Sequence, residues 1–186
     1  FGGARCSHLG QCKPSPAPPT IDSVSTTVLN ADLHCHSVVS DGTLTPEVLA
    51  TRAKANGVEL WALTDHDEIS GQARALAAAK AQGMQYLTGT EISVTFAGQT
   101  VHIIGLGFDH ENDGLQQGLR KTRGGRGERA QEMSQGLAQV GIHGCYEGAL
   151  KYVGNPELIS RTHFARFLVE SGVCADTHEA VSYTHL

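Results

Sequence analysis

Histidine is the chemically versatile residue type that stands out in this sequence. The chain has ten histidines but only one Trp and two Met. His34 and His36 form a His-x-His pattern directly after a predicted strand. Side chains at positions i and i+2 of an extended backbone share a face, so both imidazoles can reach one metal ion. Cys35 lies between them and points to the opposite face, which favours a packing role over that of a nucleophile.

Further ligating side chains recur at the predicted ends of strands and starts of helices. Asp41 lies in the turn Ser40-Asp41-Gly42, and His66 follows the next strand between two aspartates. A lone histidine on a strand is most often structural, but structural histidines have no reason to recur at successive strand ends beside carboxylates. The pattern predicts a metal centre, whose mixed imidazole and carboxylate groups suit Zn²⁺, Mn²⁺ or Fe²⁺ better than Ca²⁺ or Mg²⁺ alone. The candidate ligands are His34, His36, Asp41, His66, Glu91, His102 and His163.

The elements that must position these side chains alternate between strand and helix. Apolar runs predict strands at 28–33, 58–63, 84–87 and 100–106, with 91–96 as a hairpin partner of the last. Helices are predicted at 46–56, 70–82, 113–122, 126–140, 146–152 and 160–171. This order predicts an α/β fold in which helices cover a parallel sheet. Such folds place their chemistry at the carboxyl ends of the strands.

The composition excludes several classes of protein. The chain has 186 residues, of which 40% are apolar, so it can bury a core. Its net charge of −5 argues against a protein that coats nucleic acid by bulk charge. No run approaches the roughly 18 apolar residues of a membrane span. The five cysteines are scattered and no secretory signal precedes them, which favours a reducing cytoplasm.

Both ends differ in character from the middle of the chain. Residues 1–30 are rich in Pro, Ser and Thr and are predicted to be a disordered or non-native leader. The segment 181–186 resembles a translated sequencing adaptor, so His185 is not counted among the ligands. The domain that carries the chemistry is therefore expected at 31–180.

Four motifs of this middle region resemble the PHP (polymerase and histidinol phosphatase) superfamily. The resemblance runs from about Ala31 to Glu170, and the motifs are ordered and spaced as in that family. Their residues are most similar to those of bacterial phosphoesterases that act on nucleoside 3′,5′-bisphosphates. Some of these enzymes also trim RNA 5′ ends. The motifs read ADLHCHS (31–37), SDGTLTP (40–46), LTDHD (63–67) and GTE (89–91).

The resemblance implies a distorted (β/α)7 TIM-like barrel, incomplete in this chain, with two or three divalent ions (Mn, Zn or Fe) at its mouth. It assigns His34 and His36 to the first ion, Glu91 as a bridge, His102 and His163 to the second ion, and Asp41 and His66 to the third. The family also has a later Asp-x-His pair. Asp176-Thr177-His178 has that spacing but comes too early, so a C-terminally truncated fragment is expected.

The ions define the expected mechanism and substrate. A hydroxide between two ions would attack phosphorus in line, so no other catalytic group is required. The basic segment 120–129 is either a solvated helix start or a clamp for a second phosphate. Arg126 and Arg129 best match the family's basic positions, and Arg161 matches less well. The predicted partner is a small phosphorylated substrate, a nucleotide or short oligonucleotide, with no membrane and no bulk nucleic-acid binding.

Several functions stay open at this point. The first is a metal-dependent hydrolase that removes phosphate from nucleoside 3′,5′-bisphosphates or acts on short RNA 5′ ends. The alternatives are an exonuclease or structural PHP domain of a DNA polymerase, a histidinol-phosphate-type phosphatase, and a metal-binding but inactive fragment. The motif wording and the lack of polymerase sequence favour the first.

Overall fold

Four strands form one sheet in which neighbours in sequence are neighbours in space. The computed structural model describes residues 28–184. Strands β1 (Ala31–Asp32), β2 (Leu60–Leu63) and β3 (Gln85–Phe96) run parallel, and β4 (Gln99–Leu106) pairs antiparallel with β3. The fold is therefore α/β, as predicted, and the carboxyl ends of β1 and β2 lie at the same edge as the middle of β3.

Helices connect the parallel strands and form the second half of the described chain. Their bounds agree with the predicted ones to within a few residues, and one further helix near the C-terminus was not predicted. The helices are α1 (Pro46–Ala55), α2 (Gln72–Ala81), α3 (Asp113–Arg123), α4 (Arg126–Gln139), α5 (Cys145–Leu150), α6 (Arg161–Glu170) and α7 (Thr177–Tyr183), with a 3₁₀ turn at Pro156–Leu158.

The two ends of the chain lie largely beyond what is described. Of the predicted leader, residues 1–27 lie outside the described residues, and so do residues 185 and 186 of the predicted tail. Residues 181–183 of that tail form the last turn of α7. The proposed origin of both segments stays a prediction.

The first helix begins where its capping residues place it. The side chain of Thr45 accepts a hydrogen bond from the backbone N–H of Val48, Pro46 occupies the first turn, and Glu47 faces the positive end of the helix dipole. Gly57 follows the helix with φ of 78°, a conformation that glycine adopts without a steric cost.

Strand β3 is longer than predicted, because the segments 84–87 and 91–96 belong to one continuous strand. Gly89 lies between the two predicted segments and interrupts their apolar pattern. A Cβ atom on Gly89 would lie 2.6 Å from the carbonyl oxygen of Leu63, so glycine permits β3 to approach β2. Ala97 and Gly98, with φ of 51° and 79°, form the two-residue turn to β4.

The buried apolar residues form two separate clusters. Trp61 and Leu63 of β2 pack against alanines of α1 and α2. Leu137, Phe164 and Leu168 form a separate core among the later helices. Within residues 28–184, no helix combines the length and the apolarity needed to cross a bilayer.

Candidate metal centre

The sheet brings the candidate ligands together from distant parts of the sequence. His34 follows β1 by two residues, and His66 follows β2 by three. Glu91 lies within β3, and an isolated parallel bridge joins it to His66. His102 lies on β4, whose register places it opposite Ser93. Parallel pairing thus directs the side chains that follow β1 and β2 to one edge of the sheet, and the antiparallel pairing of β4 with β3 adds His102 there.

The tightest group joins His34, His36 and Glu91. Nε2 of His34 lies 3.1 Å from Nε2 of His36, and the Oε2 atom of Glu91 lies 2.8 and 3.1 Å from these two nitrogens. Ligand atoms that share an ion at about 2.0–2.2 Å are separated by roughly 2.9–3.5 Å. The three atoms therefore have the spacing of a ligand set around one ion, and their types suit a transition metal.

Two further groups share members with the first. His36, Asp41 and His66 offer ligand atoms within 4.8 Å of one another, and so do His66, Glu91 and His102. Nδ1 of His102 lies 3.4 Å from Oε1 of Glu91. Glu91 thus belongs to two groups, because its Oε2 atom lies near His34, His36 and, at 3.7 Å, Nδ1 of His66, whereas its Oε1 atom lies near His102. Six of the seven predicted ligands lie in this cluster.

Several histidines of the cluster are suited to bind a cation. Nδ1 of His36 and Nδ1 of His66 are buried and have no hydrogen-bond partner among the described residues. Burial lowers the pKa of His66, which favours the neutral imidazole that ligates metals. Burial alone would raise the pKa of Asp41, but His66 and His36 outweigh it and hold that pKa below its ordinary value. The residues present therefore fit a metal centre.

The seventh candidate, His163, is not brought into these groups. Its Nδ1 lies 3.0 Å from both the backbone nitrogen and the Oγ atom of Ser160, an arrangement that caps the start of α6. Its Nε2 is buried without a hydrogen-bond partner among the described residues. Ser160 in turn donates to Oδ2 of Asp41 at 3.4 Å, so α6 begins beside the cluster. The predicted role of His163 as a ligand stays a prediction.

Asp65 holds the loop between two candidate ligands, a role that the sequence alone did not predict. Its carboxylate accepts three hydrogen bonds of 2.7 Å, from the N–H and Oγ–H of Ser37 and from Oγ–H of Ser40. These serines lie in the loop that connects His36 to Asp41, so Asp65 fixes the loop between two candidate ligands. The only indication of this role in the sequence is that Asp65 precedes His66 and lies two residues after a buried strand.

The same loop requires glycine at one position. A Cβ atom on Gly42 would lie 2.1 Å from the backbone oxygen of His36, which no side chain can accommodate. The backbone N–H of Gly42 also donates to the carbonyl of Ser37 at 2.9 Å. The sequence Ser40-Asp41-Gly42 therefore turns Asp41 back toward the cluster, as expected from its turn residues.

Cys35 packs on the side of the strand that faces away from the cluster. The indole N–H of Trp61 donates to its sulfur at 3.3 Å, and its thiol lies 3.5 Å from the carbonyl oxygen of Ala62. Burial raises the pKa of this thiol to about 12, so it stays protonated at neutral pH. The packing role predicted for Cys35 agrees with these contacts.

A cavity of about 550 Å³ opens beside the cluster. Its walls include three of the candidate ligands, Asp41, His66 and His102. The three arginines that the sequence analysis singled out, Arg126, Arg129 and Arg161, line the same cavity.

Arg126 and Arg129 differ in how the protein holds them. Arg126 is buried, and its Nη2 atom forms an ion pair with Oδ2 of Asp67, whose side chain is fully buried. The same Nη2 atom donates to Oγ of Ser93 at 3.1 Å. Arg129 lies one helical turn further along α4 and is exposed. The cavity thus holds one anchored and one exposed cation on the same helix.

Comparison with known proteins agrees with this picture. A family model described as PHP domain matches residues 32–153. The chain is 51% identical to the 3′,5′-nucleoside bisphosphate phosphatase of Chromobacterium violaceum, over 79% of this chain and 52% of that protein. It is 42% identical to a 5′-3′ exoribonuclease of Haemophilus influenzae, over 80% of this chain and 54% of that protein.

A solved structure also superimposes on this fold. The match is to a protein from Bifidobacterium adolescentis described as a metal-dependent phosphoesterase, with a TM-score of 0.75 and 32% identity. It covers 84% of this chain and 55% of that one. The chain thus spans about half the length of the curated relatives it matches.

Proposed function

The chain belongs to the PHP domain family, and we propose that the protein is a metal-dependent phosphoester hydrolase. Its substrates would be nucleoside 3′,5′-bisphosphates or the 5′ ends of short RNA, the activities named for its relatives in Chromobacterium violaceum and Haemophilus influenzae. One observation carries the proposal. The ligand-spaced triangle of His34, His36 and Glu91 belongs to a cluster that continues into a cavity lined by three arginines.

Different residues would bind the metal ions and the phosphate groups. We propose that the seven predicted ligands hold two or three divalent ions of the Mn, Zn or Fe type, with Glu91 between two of them. When bound, such ions lower the pKa of water and neutralise phosphate oxygens. The guanidinium groups of Arg126, Arg129 and Arg161 match a second phosphate, and Arg126 holds its positive charge in a fixed place in the cavity that His66 also lines.

The wider architecture is part of the same proposal. We propose that residues 31–180 form the N-terminal part of a PHP domain whose complete form is a distorted (β/α)7 barrel. The parallel pairing of β1, β2 and β3 supports this, because a barrel of this kind continues the same strand order. The segments 1–30 and 181–186 would lie outside the domain.

The proposal can be tested on the full-length protein purified with Mn²⁺. We expect phosphate release from adenosine 3′,5′-bisphosphate, and a loss of at least about a hundredfold in kcat/KM for His34→Ala and for Glu91→Ala. Matched controls are His143→Ala and Glu47→Ala, which alter an exposed histidine and a half-exposed carboxylate outside the cluster. Both controls should keep the wild-type rate.

Two other results would change the conclusion. If the wild type binds Mn²⁺ stoichiometrically but releases no phosphate, the metal centre stands and the substrate is wrong, and 5′-phosphorylated RNA oligonucleotides are the next substrates. If neither His34→Ala nor Glu91→Ala reduces the bound metal, the cluster is not a metal centre.

A further inference from the structure

Asp67 adopts a backbone conformation that is uncommon for residues other than glycine. Its φ is 50°, in the left-handed region that residues other than glycine seldom occupy, and it follows the candidate ligand His66 directly. Its side chain is fully buried. Strained conformations of this kind persist where the surrounding contacts determine them, and they concentrate at functional sites.

Those contacts involve four different atoms of Asp67. The backbone N–H donates to the carbonyl of Glu91 at 2.9 Å, and Oδ1 accepts from the backbone N–H of Ser93 at 2.7 Å. The carbonyl accepts from Nη1 of Arg123 at 2.7 Å, and Oδ2 pairs with Nη2 of Arg126. Asp67 therefore connects two candidate ligands to the start of α4. One is His66, its neighbour in sequence, and the other is Glu91, its hydrogen-bond partner in β3.

The other end of this connection is a guanidinium group at the cavity wall. Among the described residues, both hydrogen bonds of the Arg126 side chain use Nη2, which contacts Asp67 and Ser93. Its Nε atom is buried without a partner, and the residue lines the same cavity as His66 and His102. The guanidinium group is thus held through its Nη2 atom, which fixes its position near the cluster.

A purely structural explanation accounts poorly for this pair. Burying an aspartate with an arginine costs desolvation that the mutual attraction offsets only in part, and apolar side chains often stabilise a core as well or better. The pair also lies beside the cavity rather than within either apolar cluster. A buried pair at such a place fixes the orientation of a charge, which is what phosphate recognition requires.

We propose that Asp67 is a positioning residue that holds Arg126 in the orientation from which it binds a phosphate group of the substrate. This rests on the function proposed above. Asp67 does not contact the substrate. It fixes the charge of Arg126 relative to His66 and Glu91, so that anion and metal are held in one geometry.

The variant Asp67→Asn separates charge from shape. Asparagine also adopts positive φ and can still accept a hydrogen bond from the N–H of Ser93, but it no longer pairs with the guanidinium. We expect KM for adenosine 3′,5′-bisphosphate to rise about tenfold while kcat changes by less than about threefold, the effect of losing one charge-assisted contact in binding. Bound Mn²⁺, measured by elemental analysis, should stay at the wild-type level.

A double-mutant comparison tests the route through Arg126. If Asp67 acts on Arg126, then Asp67→Asn adds little to the KM effect of Arg126→Gln, whereas it adds fully to that of Arg129→Gln. The exposed Arg129 is the matched control, because it lines the same cavity and has no contact with Asp67 among those described. Full additivity with Arg126→Gln, or an unchanged or lower KM in Asp67→Asn, would overturn the proposal.

Two measurements keep the test decisive if parts of it fail. Should Asp67→Asn not fold, Ser93→Ala removes the other contact of Nη2 and should raise KM about threefold, the effect of one neutral hydrogen bond; an unchanged KM there would refute the idea. Should the wild type not hydrolyse the bisphosphate, calorimetric binding of inorganic phosphate to the same metal-loaded variants replaces KM. The proposed function then fails, while weaker phosphate binding by Asp67→Asn would still support the role of Asp67.

Discussion

At the scale of single residues, the two aspartates that flank His66 face opposite parts of the site. Asp65 accepts hydrogen bonds from Ser37 and Ser40 in the loop before Asp41. Asp67 accepts from Ser93 and Arg126. In an extended backbone, side chains at positions i and i+2 would share a face, so the positive φ of Asp67 separates the directions of the two carboxylates.

The bond between Ser40 and Asp65 should contribute measurably to stability. Ser40 is 3% exposed, so Ser40→Ala leaves a buried carboxylate short of one of its donors. We expect a loss of about 1.5–3 kcal/mol, the usual range for hydrogen bonds to charged groups. Urea unfolding of the variant measures it, with Ser70→Ala at an exposed position as control. Equal midpoints for the two variants would contradict the role given to Asp65.

The half-buried thiol of Cys35 should be chemically inert in the folded protein. Burial raises its pKa from an ordinary value of 9.0 to about 12, so the thiolate is scarce at pH 8. We expect iodoacetamide to modify Cys35 at pH 8 only after unfolding in guanidinium chloride, as measured by mass spectrometry of the peptide that contains it. Modification at equal rates in both states would show that the thiol is accessible.

The same raised pKa also sets the sign of a pH effect. The unfolded chain releases the thiol proton near pH 9, before the folded chain does. The stability associated with the protonated thiol is therefore complete below about pH 9 and is lost as the pH rises toward 12. Cys35→Ala should flatten the fall in unfolding free energy across that alkaline range.

At the scale of elements, the close approach of β3 to β2 decides where Glu91 lies. In Gly89→Ala, the new Cβ would lie 2.6 Å from the Leu63 carbonyl oxygen and 2.8 Å from Cγ2 of Thr64. We expect β3 to shift and both bound Mn²⁺ and phosphate release to fall at least about tenfold, as when groups that orient metal ligands are lost. Elemental analysis and the phosphate assay measure these effects.

The matched control for that change is a glycine with open space around it. Gly118 lies in the middle of α3, and a Cβ there would meet nothing within 4 Å. Gly118→Ala should stabilise the helix by about 0.5–1 kcal/mol and leave metal binding unchanged. A loss of Mn²⁺ from both glycine variants would mean that the effect of Gly89→Ala is not specific to the approach of β3.

The elements also show which features a sequence can reveal. Helix α1 is predictable because Thr45, Pro46 and Gly57 act on their immediate neighbours. The continuity of β3 is not, because the reason for Gly89 is an atom of another strand. The ion pair of Asp67 with Arg126 is separated by 59 positions, and nothing local in either segment indicates the other. Features that depend on neighbouring residues can be predicted from one sequence, whereas contacts between residues far apart in the sequence cannot.

At the scale of the whole molecule, the cluster lies where the sheet meets the later helices. Six candidate ligands come from residues 34–102, the part of the chain that also forms the core of Trp61 and Leu63. The helical core of Leu137 and Phe164 is connected to them by Ser160 on Asp41 and by Arg126 on Asp67. Ions bound at this boundary should therefore stabilise the protein as well as serve its chemistry.

Metal removal tests this directly. At a free Mn²⁺ concentration a hundred times its Kd, binding stabilises the folded state by about 2.7 kcal/mol. For a chain of this size we expect a rise in Tm of roughly 5–10 °C, reversed by EDTA and smaller in His34→Ala, which lacks a ligand of one of the proposed ions. Calorimetry of the full-length protein measures it. A Tm that does not respond to Mn²⁺ in the wild type would contradict a metal centre at this boundary.

His163 decides whether the helical half supplies a ligand of its own. Its ring now caps α6 through Ser160, but its buried Nε2 atom has no hydrogen-bond partner among the described residues, a state that costs free energy unless something binds there. We expect His163→Ala to lower the number of Mn²⁺ ions bound per chain and the Mn²⁺-induced rise in Tm, whereas His143→Ala, at an exposed position, changes neither. If His163→Ala lowers only the Tm measured in EDTA, the residue is a helix cap, and the ligands among the described residues come from residues 34–102.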